Sequence, residues 1–138
     1  MTSIENVKVA FIRKKYGNPK MTLKDWVDLP GHVYIGRQGV VFVPGEEPGS
    51  KVRYPPTASR WANPFKIENG QTREGVIKKY RRYIRQRLQD PKDKEITWER
   101  LEDLRGKTLG CWCHPEGCHG DVLIELLEEM EGEERGKK

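Results

Sequence analysis

"KTLGCWCHPEGCHGDVLIELLEEM", residues 107–130, joins a short segment with strand character to a segment with helical periodicity. We predict a β-strand for "KTLGCWC" and an amphipathic helix for "DVLIELLEEM", whose apolar residues recur at helical spacing. A short helix before the strand, capped by Thr97 and ended at Gly106, completes the order helix, strand, loop, helix. This order is typical of α/β proteins, so we expect an α/β fold, with α+β as the alternative.

Two further helices are predicted upstream. The longer one extends from about Thr72 to Gln89, because its apolar residues fall on one arc at helical spacing. Those residues are Val76, Ile77, Tyr80, Tyr83, Ile84 and Leu88. The shorter one lies in "MTLKDWVDL", residues 21–29, where Thr22 is the expected N-cap and Asp25 is the favourable acid of the first turn.

The remaining regular segments have strand character. We predict one strand in "VKVAFIR", residues 7–13. A hairpin is expected from residues 32–37 and 39–43, and a further strand at residues 51–54. The expected architecture is a mixed sheet of about four or five strands with three helices packed on it.

The composition is that of a small protein with no membrane-spanning segment. The chain has 138 residues, of which 35% are apolar and 34% charged. We expect one domain over residues 1–131 and a polar tail at residues 132–138. The longest apolar stretch, "GVVFVP", is too short to cross a membrane, and Glu5 and Lys8 interrupt the apolar start that a signal peptide requires. We therefore predict a cytoplasmic protein with no membrane partner.

Charge is distributed unevenly around a formal net charge of +5. Residues 73–87 carry seven basic side chains against Glu74, whereas residues 125–134 are strongly acidic. One interpretation is a surface for a nucleotide or nucleic acid, with Lys78, Arg82 and Arg85 binding phosphate. The other is a solvated helix face with ion pairs, of the kind that thermophilic proteins often show.

"CWCHPEGCHG", residues 111–120, gathers all three cysteines and two of the three histidines of the chain. Thiolates and imidazole are the ligands that zinc prefers, so we predict a zinc site formed by Cys111, Cys113, Cys118 and His119. The spacing differs from that of common zinc fingers, and His114, His32 or water are alternatives for the fourth position. An iron–sulfur cluster normally needs four cysteines and ranks lower.

The same segment permits two other interpretations. Cys118 and His119 lie at an expected strand-to-helix turn, where backbone N–H groups attract anions and lower the pKa of a thiol. If Asp121 orients His119, then Cys118, His119 and Asp121 are candidate catalytic residues. Alternatively, the cysteines simply pack as small apolar side chains, and Asp121 stabilises the first turn of its helix.

Several stretches together resemble a family known as domain of unknown function 4326, which is found in bacteriophages, viruses and some microbial genomes. They are "VYIGR", "SRWANPF", "TREGVIKKYRRYI" and "LEDLRGKTLGCWCHPEGCHGDVLIELL". The matching positions are Gly36, Arg37, Trp61, Asn63, Pro64, Phe65, Arg73, Tyr80, Leu104, Gly106, Cys111, Trp112, Cys113, Pro115, Cys118, His119, Gly120 and Asp121. The resemblance favours His119 over His114 and implies no particular reaction.

The matching positions include side chains suited to nucleotide recognition. Arg37, Arg60 and Asn63 are candidates for holding a phosphate or a base edge. Trp61 and Phe65 could stack on a base, or could instead fill the core beneath a loop. An insertion between "IGR" and "SRWANPF" leaves open whether Arg37 lies near Trp61.

Three functional hypotheses follow from these observations. The first is a small viral or microbial protein that binds zinc and a nucleotide or nucleic acid, in the host cytoplasm if the protein is viral. The second is a small enzyme that uses the Cys118 group on a nucleotide-like substrate. The third is a protein that interacts with or inhibits a host protein.

Overall fold

Helices cover both faces of a three-stranded parallel sheet. The computed structural model describes residues 2–65, 70–112 and 117–136. Its strands are β1 (Ser3–Asn6), β2 (His32–Tyr34), β3 (Val41–Pro44), β4 (Lys51–Tyr54) and β5 (Thr108–Cys111). Its helices are α1 (Val9–Lys15), α2 (Leu23–Val27), α3 (Arg73–Gln89), α4 (Trp98–Glu102) and α5 (His119–Gly136).

The sheet has the order β1-β5-β2, so β5 forms backbone hydrogen bonds along both of its edges. Asn6 of β1 pairs with Cys111, and Tyr34 of β2 pairs with Gly110. Because both pairings are parallel, the carboxyl ends of the three strands lie at one edge of the sheet. The chain leaves β5 at this edge and enters α5.

Successive residues of β5 face opposite sides of the sheet. Leu109 and Cys111 are buried in the core formed with α3, α4 and α5. Gly110 faces the opposite core, where a β-carbon would lie 2.6 Å from Trp26 and 2.7 Å from Val7. Only glycine lets the Trp26 ring pack this closely on the central strand.

Two apolar cores result from this arrangement. The larger one lies between the sheet and α3, α4 and α5, and its largest fully buried side chains are Tyr80, Ile35, Ile84, Ile96, Leu101, Leu109, Leu123 and Leu126. The smaller one lies under α1 and α2, around Ile12, Leu23 and Trp26. Within the described parts of the chain, no helix is long and apolar enough to span a membrane.

The fold class and most helices agree with the sequence-based predictions. Thr22 and Asp25 form a reciprocal capping box on α2, and Thr72 and Thr97 cap α3 and α4. The predicted strand and helix of residues 107–130 are β5 and α5, which confirms the α/β class. The helix α5 continues to Gly136, so most of the predicted polar tail at 132–138 is helical.

The predicted strand at residues 7–13 is wrong. The strand lies earlier, at Ser3–Asn6, and Val9–Lys15 is helical. The reason is the length of the partner strand: pairing with β5 ends at Cys111, and the chain leaves the sheet after Val7. Parallel pairing with the central strand therefore outweighs the β-propensity of Val9 and Ile12.

The predicted hairpin between residues 32–37 and 39–43 is also wrong. The first segment is β2 of the parallel sheet, and β3 pairs instead with β4 in an antiparallel ribbon. The turn of this ribbon is closed by a hydrogen bond from the Gly45 N–H to the Ser50 carbonyl (2.9 Å). The strands of the described residues therefore form two sheets instead of one mixed sheet.

A polar network ties α1 to the sheet. The Tyr16 hydroxyl donates to the Glu5 carboxylate (2.9 Å), and the Lys15 ammonium lies 2.6 Å from the same group. Burial alone would raise the pKa of Glu5, but the hydrogen bonds from Lys15 and Tyr16 lower it below its ordinary value of 4.5. Burial and the Glu5 carboxylate raise the pKa of Tyr16 to about 12.

We predict that Glu5→Gln lowers the free energy of unfolding at pH 7 by about 1–3 kcal/mol, because a charged acceptor of several hydrogen bonds is lost. A lowered pKa in the folded state means that ionised Glu5 stabilises the fold above pH 4.5 and that this contribution disappears as pH falls through the folded-state pKa. The difference in free energy of unfolding between wild type and variant, measured by urea unfolding at pH 7, 5, 4 and 3, should therefore become smaller towards low pH. Glu102→Gln, which removes an exposed ion pair with Arg105, is the control and should have a smaller effect.

Candidate functional site

A cavity of about 320 Å³ opens at the carboxyl ends of β2 and β5, beside the first turn of α5. Two arginines, two aromatic rings and the start of α5 contribute to its wall: Arg37, Arg73, Phe65, Trp112, Cys118 and His119. Ligands of parallel α/β sheets characteristically bind outside the carboxyl ends of the strands. The cavity therefore lies where the topology favours a binding site.

Tyr34 at the end of β2 connects two residues of the cavity wall. Its hydroxyl donates to the Arg37 carbonyl (3.0 Å) and accepts a hydrogen bond from the indole N–H of Trp112 (2.8 Å). A β-carbon on Gly36 would overlap this phenol, so the position requires glycine. The Tyr34 hydroxyl thus links the loop after β2 to the residue that follows β5.

Arg37 holds the loop that contains Asn63 and Phe65. Its guanidinium donates from Nε and Nη2 to the Asn63 carbonyl (3.3 and 3.1 Å) and from Nη2 to the Phe65 carbonyl (3.0 Å). The Asn63 side-chain oxygen accepts the Phe65 N–H (2.9 Å). Within the described residues, Nη1 of Arg37 and the amide NH₂ of Asn63 form no hydrogen bond, and both residues line the cavity.

The two aromatic residues of the same loop have different surroundings. Trp61 is buried in the larger core, and its carbonyl accepts a hydrogen bond from the buried hydroxyl of Tyr80 (2.6 Å). Phe65 is half-buried at the cavity wall, with its ring edge-on to Tyr83 at 5.9 Å. The core interpretation therefore applies to Trp61, whereas Phe65 is placed where a ligand could stack.

Cys111 and Cys118 meet, as the sequence predicts. Their sulfur atoms are 3.3 Å apart, and the residues are 1% and 2% exposed. The hydrogen bond with Cys111 and burial raise the pKa of the Cys118 thiol well above its ordinary value. This direction is opposite to the lowered pKa that an activated thiol nucleophile requires.

The other predicted zinc ligands do not complete the site within the described residues. Cys113 and His114 lie outside them. In the described parts of the chain, no group of three or more histidine, cysteine, aspartate or glutamate side chains is arranged to hold a metal ion. His32 contacts Trp26 and Glu5 on the opposite face of the sheet.

His119 is held by the end of β2. Its Nε2 lies 2.6 Å from the Ile35 carbonyl, which can only accept, so Nε2 carries the proton and Nδ1 is an acceptor. Burial and the Arg37 charge lower the pKa of His119 and favour the neutral imidazole. The Asp121 carboxylate accepts the Cys118 N–H (3.0 Å) and caps α5, so the hydrogen bond that orients His119 comes from Ile35 instead of Asp121.

The residues predicted to bind phosphate have three different kinds of surroundings: the cavity, an ion pair or the exposed face of a helix. Arg37 and Asn63 line the cavity. Arg85 pairs with Glu129 (2.6 Å), and Arg60 pairs with Glu95 (3.4 Å). Lys78 and Arg82 lie on the exposed face of α3.

Two further cavity residues, Arg73 and Trp112, were not predicted as site residues. Arg73 begins α3 and donates to the Gly117 carbonyl (3.4 Å), which links this helix to the turn before α5. Trp112 follows β5 and takes part in the hydrogen bond with Tyr34. Both are among the positions that resemble the family, and Arg73 is also the first of the seven basic residues between 73 and 87.

The fold and the cavity define a small α/β protein with a ligand-sized site at the carboxyl edge of a parallel sheet. Residues 17–129 match the model of a domain of unknown function, DUF4326, and the chain belongs to this family. This confirms the resemblance seen in the sequence. No solved structure matches the chain significantly.

Two viral proteins are similar to this chain. One is the uncharacterized 12.4 kDa protein in the nrdA–td intergenic region of Enterobacteria phage T4, 36% identical over 70 residues, which are 51% of this chain and 61% of the phage protein. The other is the uncharacterized protein R718 of Acanthamoeba polyphaga mimivirus, 35% identical over an alignment of 81 positions that covers 53% of this chain and 56% of the viral protein. The similarity thus spans little more than half the length of each relative.

We predict that Tyr80→Phe lowers the free energy of unfolding by about 1–3 kcal/mol, because it leaves the Trp61 carbonyl without its buried hydrogen bond. Tyr83→Phe is the matched control, since its half-buried hydroxyl accepts from Arg87 and water can replace it. Urea unfolding of both variants measures the difference. Equal losses would contradict a structural role for the hydrogen bond between Tyr80 and Trp61.

Proposed function

We propose that the cavity binds a nucleotide through its phosphate and its base. The observation that carries this proposal is that Arg37 and Arg73 line the same cavity as Phe65 and Trp112. Guanidinium groups form charge-assisted, bidentate hydrogen bonds with phosphate oxygens. Aromatic rings stack on bases with little dependence on base identity.

The size of the cavity and the polar groups in its wall support the same ligand class. A volume of about 320 Å³ lies at the lower end of the range for small-molecule sites, roughly 300–1,000 Å³. Asn63 supplies amide donors that could bind a base or sugar oxygen.

Isothermal titration with 2′-deoxynucleoside 5′-monophosphates and the corresponding nucleosides tests the proposal. We expect each monophosphate to bind at least about tenfold more tightly than its nucleoside, because hydrogen bonds to charged groups contribute about 1.5–3 kcal/mol each. Arg73→Gln should reduce this ratio. It is preferred to a change at Arg37, which also holds the Asn63–Phe65 loop.

Arg100→Gln is the control variant, because its guanidinium donates to the Lys94 carbonyl in a region remote from the cavity. It should bind like the wild type. Absence of binding at millimolar monophosphate, or equal affinity for monophosphate and nucleoside, would contradict a phosphate-binding cavity.

We also propose that Cys111 and Cys118 contribute two ligands to a zinc ion. Their sulfur atoms, 3.3 Å apart, are close to the separation of about 3.8 Å that two thiolates adopt around tetrahedral zinc at a bond length of about 2.3 Å. Cys113, outside the described residues, is the third ligand that the sequence predicts. When bound, zinc would favour the thiolate forms and join the end of β5 to the start of α5.

Elemental analysis of protein produced in zinc-supplemented medium tests this second proposal. We expect about one zinc per chain, and Cys118→Ser should remove it, because a tetrahedral site that loses a thiolate binds zinc much more weakly. His32→Asn is the control and should retain the metal. Metal-free protein in which all three thiols react with a thiol reagent after unfolding would exclude the site.

A further inference from the structure

Arg73 lines the cavity and Arg87 pairs with Asp93, and the other five basic side chains of α3 form two sets with different surroundings. Arg81 pairs with Glu125 (2.8 Å) and Arg85 pairs with Glu129 (2.6 Å), so these charges are compensated by α5. The other set, which we call the outer cations, consists of Lys78, Lys79 and Arg82. These three side chains are exposed, and within the described chain they form no ion pair.

The outer cations continue from the wall of the cavity. The first turns of α3 contribute Arg73, Val76 and Ile77 to that wall. The Lys79 ammonium lies 5.9 Å from the centroid of the Phe65 ring, which also lines the cavity. Arg82 follows Lys79 by three residues and is therefore its neighbour on the helix surface.

The basic side chains from Arg73 to Arg82 extend further along α3 than a single nucleotide requires. From Arg73 to Arg82 the helix rises about 13 Å, at about 1.5 Å per residue. A mononucleotide held in the cavity would leave Lys79 and Arg82 without a phosphate. A chain of nucleotides would bring further phosphates along the outer cations.

A base that stacks in the cavity would distinguish single strands from duplexes. Stacking of a base against Phe65 or Trp112 requires an unpaired base, which a duplex does not offer without unstacking. We therefore propose that the ligand is a single-stranded nucleic acid, with one nucleotide in the cavity and the adjoining phosphates on Lys79 and Arg82. This inference rests on the nucleotide-binding function proposed above.

Fluorescence anisotropy with a labelled 12-nucleotide single strand of mixed sequence tests the inference. We expect the strand to bind at least about tenfold more tightly than a nucleoside monophosphate in low salt, because additional phosphates are neutralised. The monophosphate should compete with the strand, since both occupy the cavity. The logarithm of the affinity should fall linearly with the logarithm of the salt concentration.

The variant Lys79→Gln/Arg82→Gln should reduce the magnitude of the salt slope by about 1.4, or about 0.7 for each lost phosphate contact on a single strand. Its affinity for the monophosphate should fall much less than its affinity for the strand, because neither Lys79 nor Arg82 lines the cavity. Arg81→Gln/Arg85→Gln is the matched control: it removes the same charge from the same helix, but from side chains that are paired with α5. The control should keep the slope of the wild type.

The outcomes separate the inference from the proposed function. If the monophosphate binds but the strand binds no more tightly, or if both double variants flatten the slope equally, the single-strand inference fails alone. Equal affinity for a duplex of the same sequence, or for heparin, would also overturn it. If the monophosphate neither binds nor competes with the strand, the nucleotide-binding cavity itself is excluded.

Discussion

The parallel pairing of β5 with both β1 and β2 is the interaction on which the rest of the structure depends. It brings Trp112, which follows β5, to the same edge of the sheet as Ile35 and Arg37, which follow β2. Trp112 is far from these two residues in the sequence. It also gives α5 its starting point at the same edge. The cavity therefore results from the topology of the sheet, and loop residues complete its wall.

Several groups at this edge combine a structural with a chemical contribution. Arg37 binds two carbonyls of the Asn63–Phe65 loop and leaves one nitrogen group at the cavity. His119 donates to the Ile35 carbonyl and keeps an acceptor nitrogen. Because each group is held by a backbone partner, the wall of the cavity is positioned before any ligand binds, which lowers the ordering cost of binding.

Ion pairs between α3 and α5 determine which basic side chains of residues 73–87 lie beside a carboxylate and which do not. The sequence shows seven basic residues between 73 and 87 and an acidic segment after 125, but not which side chains meet. The structure assigns Arg81 and Arg85 to the acidic helix. The interpretation as an ion-paired helix face therefore applies to Arg81 and Arg85, whereas Lys78, Lys79 and Arg82 are exposed on the same helix.

A helix or strand could be predicted from the sequence when residues close together in the chain decide its structure. The capping box of Thr22 and Asp25, the apolar arc of α3 and the proximity of Cys111 to Cys118 follow from short-range patterns, and all are present. The predicted strand at residues 7–13 and the predicted hairpin between residues 32–37 and 39–43 were wrong, because the pairing of both segments depended on β5. Propensity alone cannot reveal that a partner strand ends at Cys111.

The candidate site shows the same division. Arg37 and Asn63 were recognised from the sequence because polar residues beside turns suit phosphate binding, and both line the cavity. Arg73, Trp112 and the hydrogen bond from His119 to Ile35 depend on contacts between distant segments.

By itself, the sequence determined the α/β class, the capped helices, the family and the convergence of two thiols, because each depends on patterns within a few turns of chain. Only the tertiary structure decided which strands pair, which arginines are compensated and which side chains share a cavity. The physical reason is that these outcomes are set by long-range pairing and packing, where the burial of one segment depends on the position of another.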